Sequence, residues 1–240
     1  GRSAGAGNAG GQRNCSFGYS AVNQNTGSYN TGFGMETLNN DSHSYNTAIG
    51  YQAGRDVNGQ ENTYLGYHAG RLSAGGNENT YVGSGAGYKC TSSDNTALGR
   101  RALYDATSGG YNTALGHQAG YAITTGDFNT LIGERVASNG SSSMERVVAV
   151  GRRALYNNQG NSSIAIGFQA GYGITTAGRC IAIGDSALSA TLTNGDNVAI
   201  GYDAGAALTS GFDNVIIGNF AGDAMTNAAY TTAVGHSALT

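Results

Sequence analysis

The chain has 240 residues, a formal net charge of −3 and only 11% charged residues, so it offers no basic stripe for nucleic-acid phosphates. No apolar run approaches the roughly 18 residues of a membrane span, and we expect no membrane insertion. Glycine occurs 41 times and proline not at all, which favours a regular backbone with many tight turns.

A short motif recurs along the chain and contains the same glycine each time. It reads SYNTAIGYQAG at residues 44–54, GYNTALGHQAG at 110–120 and SSIAIGFQAG at 162–171. The repeat covers residues 1–240 and begins and stops inside a unit, so we predict a single repeat array that is a fragment of a longer fibre protein. The recurring glycine is spaced by 16 to 18 residues and falls at Gly1, Gly18, Gly34, Gly50, Gly66, Gly83, Gly99, Gly116, Gly133, Gly151, Gly167, Gly184, Gly201, Gly218 and Gly235.

A short β-strand is predicted before each glycine. The residue directly before the glycine is large and apolar, as at Ile49, and the residue two places earlier is mostly β-branched, as at Thr47. This alternation with a period of two is typical of a strand that presents both positions on one face. We interpret that face as the one that points into the core. Three residues after the glycine stands an alanine in 13 of the 15 units, and a loop follows.

Units of this length cannot bury a core alone, but stacked units can cover one another. The repeat therefore predicts an all-β fold, a parallel β-solenoid of 14–15 coils with a 16–18 residue repeat. An asparagine that precedes the strand supports this architecture, because stacked asparagines form hydrogen-bonded ladders and suit the corner where a loop becomes a strand. It occurs ten times, at Asn14, Asn30, Asn46, Asn62, Asn79, Asn95, Asn112, Asn129, Asn197 and Asn214.

The middle residue of each strand must point to the face opposite its two neighbours. In a lone solenoid we would expect that face to be polar, yet it is mostly small or apolar. A strand that is apolar on both faces is normally covered on both, and a continuous apolar stripe marks an interface. We therefore predict that the chain forms a homotrimer whose interface consists of Ala48, Tyr64, Tyr81, Ala97, Ala114, Leu131, Ala149, Ala165, Ala182, Ala199, Ile216 and Ala233.

The segments NTAIGYQAG, NTALGHQAG and NVAIGYDAG resemble the head repeats of the YadA-type trimeric autotransporter adhesins. The longer form with Gln-Ala-Gly is also similar to repeats in tail-fibre or spike proteins of phages and large algal viruses. The resemblance implies a left-handed β-roll, three chains to a trimer, and adhesion in an extracellular, cell-surface or virion-surface setting. The unit here is longer than the usual adhesin repeat, so its loops are expected to project further.

Residues that could carry catalysis do not cluster in the sequence. The four histidines, His43, His68, His117 and His236, show no metal-ligand spacing with one another or with Cys15, Cys90 and Cys180. No nucleophile or base stands out among the near-identical units. We therefore expect no enzyme activity, no cofactor and no metal.

Five tyrosines share one repeat position, five residues after the glycine, and are the candidate ligand-binding residues. Tyrosine ladders stack on sugars or anchor a protein partner, and they pack equally well against a loop or a neighbouring chain. The partner of such a ladder would be a cell-surface glycan or protein. The five are Tyr88, Tyr104, Tyr121, Tyr156 and Tyr172.

Four functions fit these patterns. The first is a structural or adhesive fibre segment, and the alternatives are a lectin-like glycan binder, an extracellular filament and an ice-binding solenoid. Ice binding would use the seven threonines from Thr31 to Thr130 at the first strand position. The same position becomes Val148, Ile164 and Ile181 further along, which favours an inward location and argues against ice binding.

Overall fold

The computed structural model describes residues 1–7, 10–139 and 143–240. These residues form strands, turns and loops. They contain no helix, and thus none long and apolar enough to cross a membrane. The fold is an all-β parallel β-solenoid of about 13 turns, close to the 14–15 coils predicted from the glycine spacing.

Each coil contributes one strand of three residues directly before its glycine. The chain divides into two compact units, Gly1–Gln118 with strands β1 to β7 and Ala119–Thr240 with strands β8 to β14. Within each unit, strands that follow one another along the chain are hydrogen-bonded neighbours. The strands are β1 Cys15–Phe17, β2 Thr31–Phe33, β3 Thr47–Ile49, β4 Thr63–Leu65, β5 Thr80–Val82, β6 Thr96–Leu98, β7 Thr113–Leu115, β8 Thr130–Ile132, β9 Val148–Val150, β10 Ile164–Ile166, β11 Ile181–Ile183, β12 Val198–Ile200, β13 Val215–Ile217 and β14 Thr232–Val234.

The strands pair in parallel with identical register, so equivalent repeat positions lie above one another. In the second unit Ile164 pairs with Ile181, Ala165 with Ala182, and Ile166 with Ile183. Neighbouring rungs of such a ladder are about 4.8 Å apart. Side chains at equivalent strand positions therefore lie directly above one another, one rung apart.

The glycine after each strand is required by its backbone and by its neighbour. Gly167 has a φ of +135°, in the region that side-chain-bearing residues rarely adopt. A Cβ atom added to it would lie 2.7 Å from the carbonyl oxygen of Gly184 in the next coil. Any side chain at this position would push two coils apart, which explains why the repeat preserves the glycine.

The predicted asparagine ladder is present. The side-chain oxygen of Asn46 accepts a hydrogen bond of 2.9 Å from the backbone N–H of Asn62, and that of Asn62 accepts one of 2.8 Å from Asn79. The side-chain amide of Asn62 donates to the carbonyl oxygen of Gly76. The ladder thus runs from side chain to backbone and satisfies buried polar groups at the corner of each coil.

The two faces of the strands are the reverse of those predicted. The residues that directly precede the glycine point outward: Phe33 is 53% exposed, Leu98 44% and Ile166 41%. The first strand residues, including the threonines, are exposed or half-buried as well. The prediction that both positions face the core is wrong.

The middle strand residues line the interior instead. All twelve residues assigned to a trimer interface are buried within the single chain: Ala48, Tyr64, Tyr81, Ala97, Ala114, Leu131, Ala149, Ala165, Ala182, Ala199 and Ile216 are 0% exposed, and Ala233 is 2% exposed. Side chains covered by their own chain cannot contact another copy, so this placement of the interface is wrong. Alternation fixes that the two sets lie on opposite faces, but not which face is inside.

The interior of each coil has room for few large side chains, so most of the buried middle strand residues are small. The turn alanine three places after the glycine, for example Ala69 or Ala102, is also fully buried. A larger residue in the strand is matched by a smaller one four places after the glycine. Tyr64 stands with Gly70 and Tyr81 with Gly87, where an added Cβ would lie 2.2 Å and 2.4 Å from the respective ring.

Candidate functional site

The first candidate site is the outward side of the strands, which we call the strand face. In the second unit it is mostly aliphatic: six apolar members are 36–63% exposed, Thr232 is exposed as well, and the others are half-buried. The strand face of this unit consists of Thr130, Ile132, Val148, Val150, Ile164, Ile166, Ile181, Ile183, Val198, Ile200, Val215, Ile217, Thr232 and Val234.

In the first unit the strand face carries threonines beside larger apolar residues. Phe17 and Phe33 stack there with ring centroids 4.8 Å apart and planes 9° apart. Ile49, Leu65, Leu98 and Leu115 continue the row and are 40–44% exposed. Contiguous exposed apolar surface of this kind is uncommon on soluble monomers and marks an interaction surface.

The five candidate tyrosines lie on the turns that follow the glycines, and all five are half-buried. Tyr88 and Tyr104 stack in parallel, with ring centroids 4.8 Å apart and planes 5° apart. Tyr156 and Tyr172 stack with centroids 5.3 Å apart and planes 3° apart. Tyr121 occupies the same repeat position in the second unit. The structure thus stacks Tyr88 on Tyr104 and Tyr156 on Tyr172.

The second candidate site is a pocket beside the Tyr88–Tyr104 pair, which we call the tyrosine notch. It lies within the first unit and is lined by Tyr67, His68, Ser84, Gly85, Tyr88, Arg101 and Tyr104. The notch forms where the coil of Gly83 carries two small residues, Ser84 and Gly85, after its glycine. The coils on either side carry Tyr67–His68 and Arg100–Arg101 at those positions.

Aromatic rings form the walls of the tyrosine notch. The imidazole of His68 stacks on Tyr67 with centroids 3.8 Å apart and lies 6.0 Å from the ring of Tyr88. Arg71 donates a hydrogen bond of 2.9 Å from Nη1 to the hydroxyl of Tyr88, and the guanidinium carbon of Arg101 lies 5.6 Å from the centre of the Tyr104 ring. These cationic groups hold the rings in place.

The electrostatics of the notch are positive. Burial lowers the pKa of His68, and the nearby charges of Arg71 and Arg55 lower it further. The neutral imidazole therefore predominates at pH 7. Within the described parts of the chain Arg71 and Arg101 form no ion pair, whereas Lys89 is paired with Asp105 at 2.7 Å.

Sequence reasoning identified Tyr88 and Tyr104 but missed His68, Gly85 and Arg101. These three stand at the same repeat position in three successive coils, two residues after the glycine. Reading that position down the chain gives Gln52, His68, Gly85, Arg101 and Gln118, so the absence of a side chain in the middle of the row was visible in the sequence.

Buried ionisable groups form a separate cluster inside the first unit. The side chain of Asp41 is fully buried; its Oδ1 accepts a hydrogen bond from the backbone N–H of His43 and its Oδ2 accepts one from Asn46. Burial raises the pKa of Asp41 to about 7, and the two hydrogen bonds offset part of that effect. Burial also raises the pKa of Tyr64 in the same unit and, separately, that of Cys180 in the second unit.

These buried groups do not form a metal site among the described residues. Across residues 1–7, 10–139 and 143–240, no three histidine, cysteine or acidic side chains are close enough to hold a metal ion. The cysteines are free thiols, with Cys15 exposed and Cys90 and Cys180 buried.

Comparison with known proteins gives no match: no family model, no curated protein and no solved structure is significantly similar to this chain.

Proposed function

We propose that the chain is a structural and adhesive fibre segment, a trimeric β-roll shaft or head that presents its loops to a host or other surface outside the cell. The observation that carries this proposal is the strand face. It is a regular apolar band that the single chain leaves exposed, with Ile164, Ile166, Val215 and Ile217 36–41% exposed in the second unit. The resemblance of the repeats to trimeric adhesins and viral fibres supports the same conclusion.

The strand face replaces the middle strand residues as the proposed trimer interface. Seven successive rungs at about 4.8 Å give the second unit an apolar band about 29 Å long. Burial of this band between copies would remove it from water, and each additional rung would add to the contact. The proposed segment has no catalytic role and no cofactor. It acts through shape and repetition.

Sedimentation equilibrium tests the proposal directly. We expect a particle of three times the chain mass. The paired substitution Ile166→Asp with Ile183→Asp places two carboxylates in the strand face and should shift the particle to a single copy. The variant Gln159→Glu, in an exposed loop of the same coil as Ile166, adds charge away from the strands and should stay trimeric. A monodisperse single-copy wild type at 1–10 mg/mL would refute the proposed assembly.

Ice binding is a second candidate because one specific observation favours it. The threonine row that was expected to face inward is exposed or half-buried on the strand face, with Thr63, Thr80, Thr96 and Thr113 exposed. The inward location predicted for these threonines, which spoke against ice binding, is therefore wrong. A thermal hysteresis assay distinguishes ice binding from the fibre segment. A single-copy particle with clear thermal hysteresis would favour ice binding, whereas a trimer without thermal hysteresis would favour the fibre segment.

A further inference from the structure

We infer that the tyrosine notch binds one residue of a sugar chain that carries a carboxylate. This goes beyond the fibre role, because it assigns a ligand class to one place in the array. It does not depend on self-association. The seven lining residues all come from turns after the glycines, and none belongs to a strand.

The notch is a local departure from the repeat. The residue two places after the glycine has a positive φ in every coil, and most coils place a side chain there, as at Gln52 with φ +53° and Gln118 with φ +56°. Gly85 has the same conformation with φ +67°. Since neighbouring coils tolerate a side chain in this conformation, backbone strain alone does not account for Gly85. Its effect is to leave space between His68 and Arg101.

The shape of that space suits a flat ligand. A Cβ added to Gly85 would lie 3.2 Å from Cε2 of Tyr104 and 3.6 Å from Cγ of Arg101, so a side chain there would fill the notch. The rings of Tyr67, His68 and Tyr88 surround the opening. Aromatic faces of this kind pack against the apolar C–H face of a sugar ring, and Ser84 in the pocket lining carries a hydroxyl that suits its polar groups.

The charges select the kind of sugar. Arg101 borders the notch and Arg71 reaches it through the Tyr88 hydroxyl, and neither has an ion-pair partner among the residues that the structure describes. No acidic side chain lines the pocket. Arginine binds carboxylates with paired, charge-assisted hydrogen bonds. A uronic acid unit therefore matches both the aromatic walls and the positive charge, whereas a neutral sugar matches only the walls.

The test uses the whole chain and two tetrasaccharides, α-1,4-linked tetragalacturonate and uncharged maltotetraose, in isothermal titration calorimetry. We expect tetragalacturonate to bind with a dissociation constant of roughly 1 mM or below and maltotetraose at least about tenfold more weakly. Gly85→Gln, which introduces the side chain found at Gln52 and Gln118, and Arg101→Gln should each weaken tetragalacturonate about tenfold or more.

Matched controls keep the outcome interpretable. Tyr104→Ala should abolish binding, whereas Tyr172→Ala should leave it unchanged, because it removes a ring from the other stacked pair, whose coils carry Arg153 and Gln169 at the repeat position of Gly85. Thermal unfolding of each variant establishes that it folds. Equal binding of both tetrasaccharides, retained affinity in Gly85→Gln, loss of binding in Tyr172→Ala, or full displacement by millimolar inorganic phosphate would each overturn the inference.

Discussion

The ring of Tyr81 occupies the space that a side chain at residue 87 would need: a Cβ on Gly87 would lie 2.4 Å from Cδ2 of Tyr81. Other coils solve the same packing problem with the sizes exchanged. One coil has Ala97 in the strand and Leu103 in the turn, another has Ala182 and Leu188 at the same positions, and all four are fully buried. In these coils the interior volume is divided between two positions six residues apart, whereas the space beside Gly54 is filled by Tyr64 and Leu38 from neighbouring coils.

Exchange of the sizes in one coil should therefore be tolerated where either single change is not. Tyr81→Ala removes a buried ring and should destabilise the chain by about 3–5 kcal/mol. Gly87→Leu overfills the coil and should cost about 1–3 kcal/mol or more. The double variant recreates the Ala97–Leu103 pair, and we expect a favourable coupling of at least about 1 kcal/mol in a urea double-mutant cycle. Simple additivity of the two costs would contradict the shared-volume explanation.

Replacement of a glycine after a strand by alanine should cost more stability where a further coil packs against that glycine than where none does. Gly167→Ala places a methyl group 2.7 Å from the Gly184 carbonyl and imposes an unfavourable φ. Gly235 has nearly the same φ, +129°, but no atom within 4 Å of an added Cβ. Gly235→Ala should therefore show only the conformational cost of about 1–3 kcal/mol, and Gly167→Ala should cost about 1–3 kcal/mol more. Equal shifts in melting temperature would mean that contact between coils does not determine the glycine.

Removal of one member of the asparagine ladder should leave two buried backbone groups unpaired. Asn62→Ala removes the acceptor for the N–H of Asn79 and the donor to the carbonyl of Gly76, so we expect a loss of about 2–4 kcal/mol. Asn62→Ser should cost less, because Ser163 naturally accepts a hydrogen bond of 3.2 Å from the backbone N–H of Cys180 at the equivalent position. Chemical denaturation measures both, and a serine variant as unstable as the alanine variant would be inconsistent with a shared acceptor role.

Asp41 should make the stability of the chain depend on pH. Its pKa is about 7 in the folded chain and near the ordinary value of 3.8 in the unfolded chain, so between these values the folded state holds the extra proton. Stability is then full below pH 4 and falls as the pH rises to 7, by on the order of 4 kcal/mol for a shift of this size. Asp41→Asn should remove this fall, because an amide does not titrate. The variant should still fold, because Asn25 and Asn158 make the same turn contacts in their own coils.

The measurement is the urea midpoint at pH 4.5, 6 and 8 for the wild type and Asp41→Asn. His43 carries an ionisable imidazole whose Nδ1 lies 3.7 Å from Oδ1 of Asp41, so His43→Gln serves as the control. We expect the wild type and His43→Gln to lose stability toward pH 8 and Asp41→Asn to keep it. Parallel profiles for all three would locate the pH dependence elsewhere.

The strands were predictable from the sequence, but the direction of their faces was not read correctly. Alternation located β2 to β14 because residues such as Ile49 and Thr47 repeat with period two before a glycine. The alternation does not distinguish the inner face of a strand from the outer face. The large apolar side chain of Ile49 therefore led to its assignment to the core, which is wrong. The reciprocal sizes at Tyr64 and Gly70 carried the missing information, since only residues that share a closed volume need to compensate one another.

The candidate site was predictable only in part for a related reason. Tyr88 and Tyr104 could be recognised because they repeat. Gly85 contributes by lacking the side chain that most coils carry at this repeat position. That the missing side chain leaves a pocket can be inferred only when His68 and Arg101 are known to lie on the adjacent coils. That requires the register between coils, which the spacing of 16 to 18 residues indicates but does not define atom by atom.

In-register pairing between successive coils also bears on how the chain reaches its folded state. Each strand pairs with a strand one unit away, as Val198 does with Ile181 and Val215, so the sequence separation of the main contacts stays constant however many units are added. Folding can therefore begin at any coil and spread in both directions, and the loop-closure entropy of each step is the same. An array of this kind can be lengthened by duplication of a unit without a slower search for distant partners.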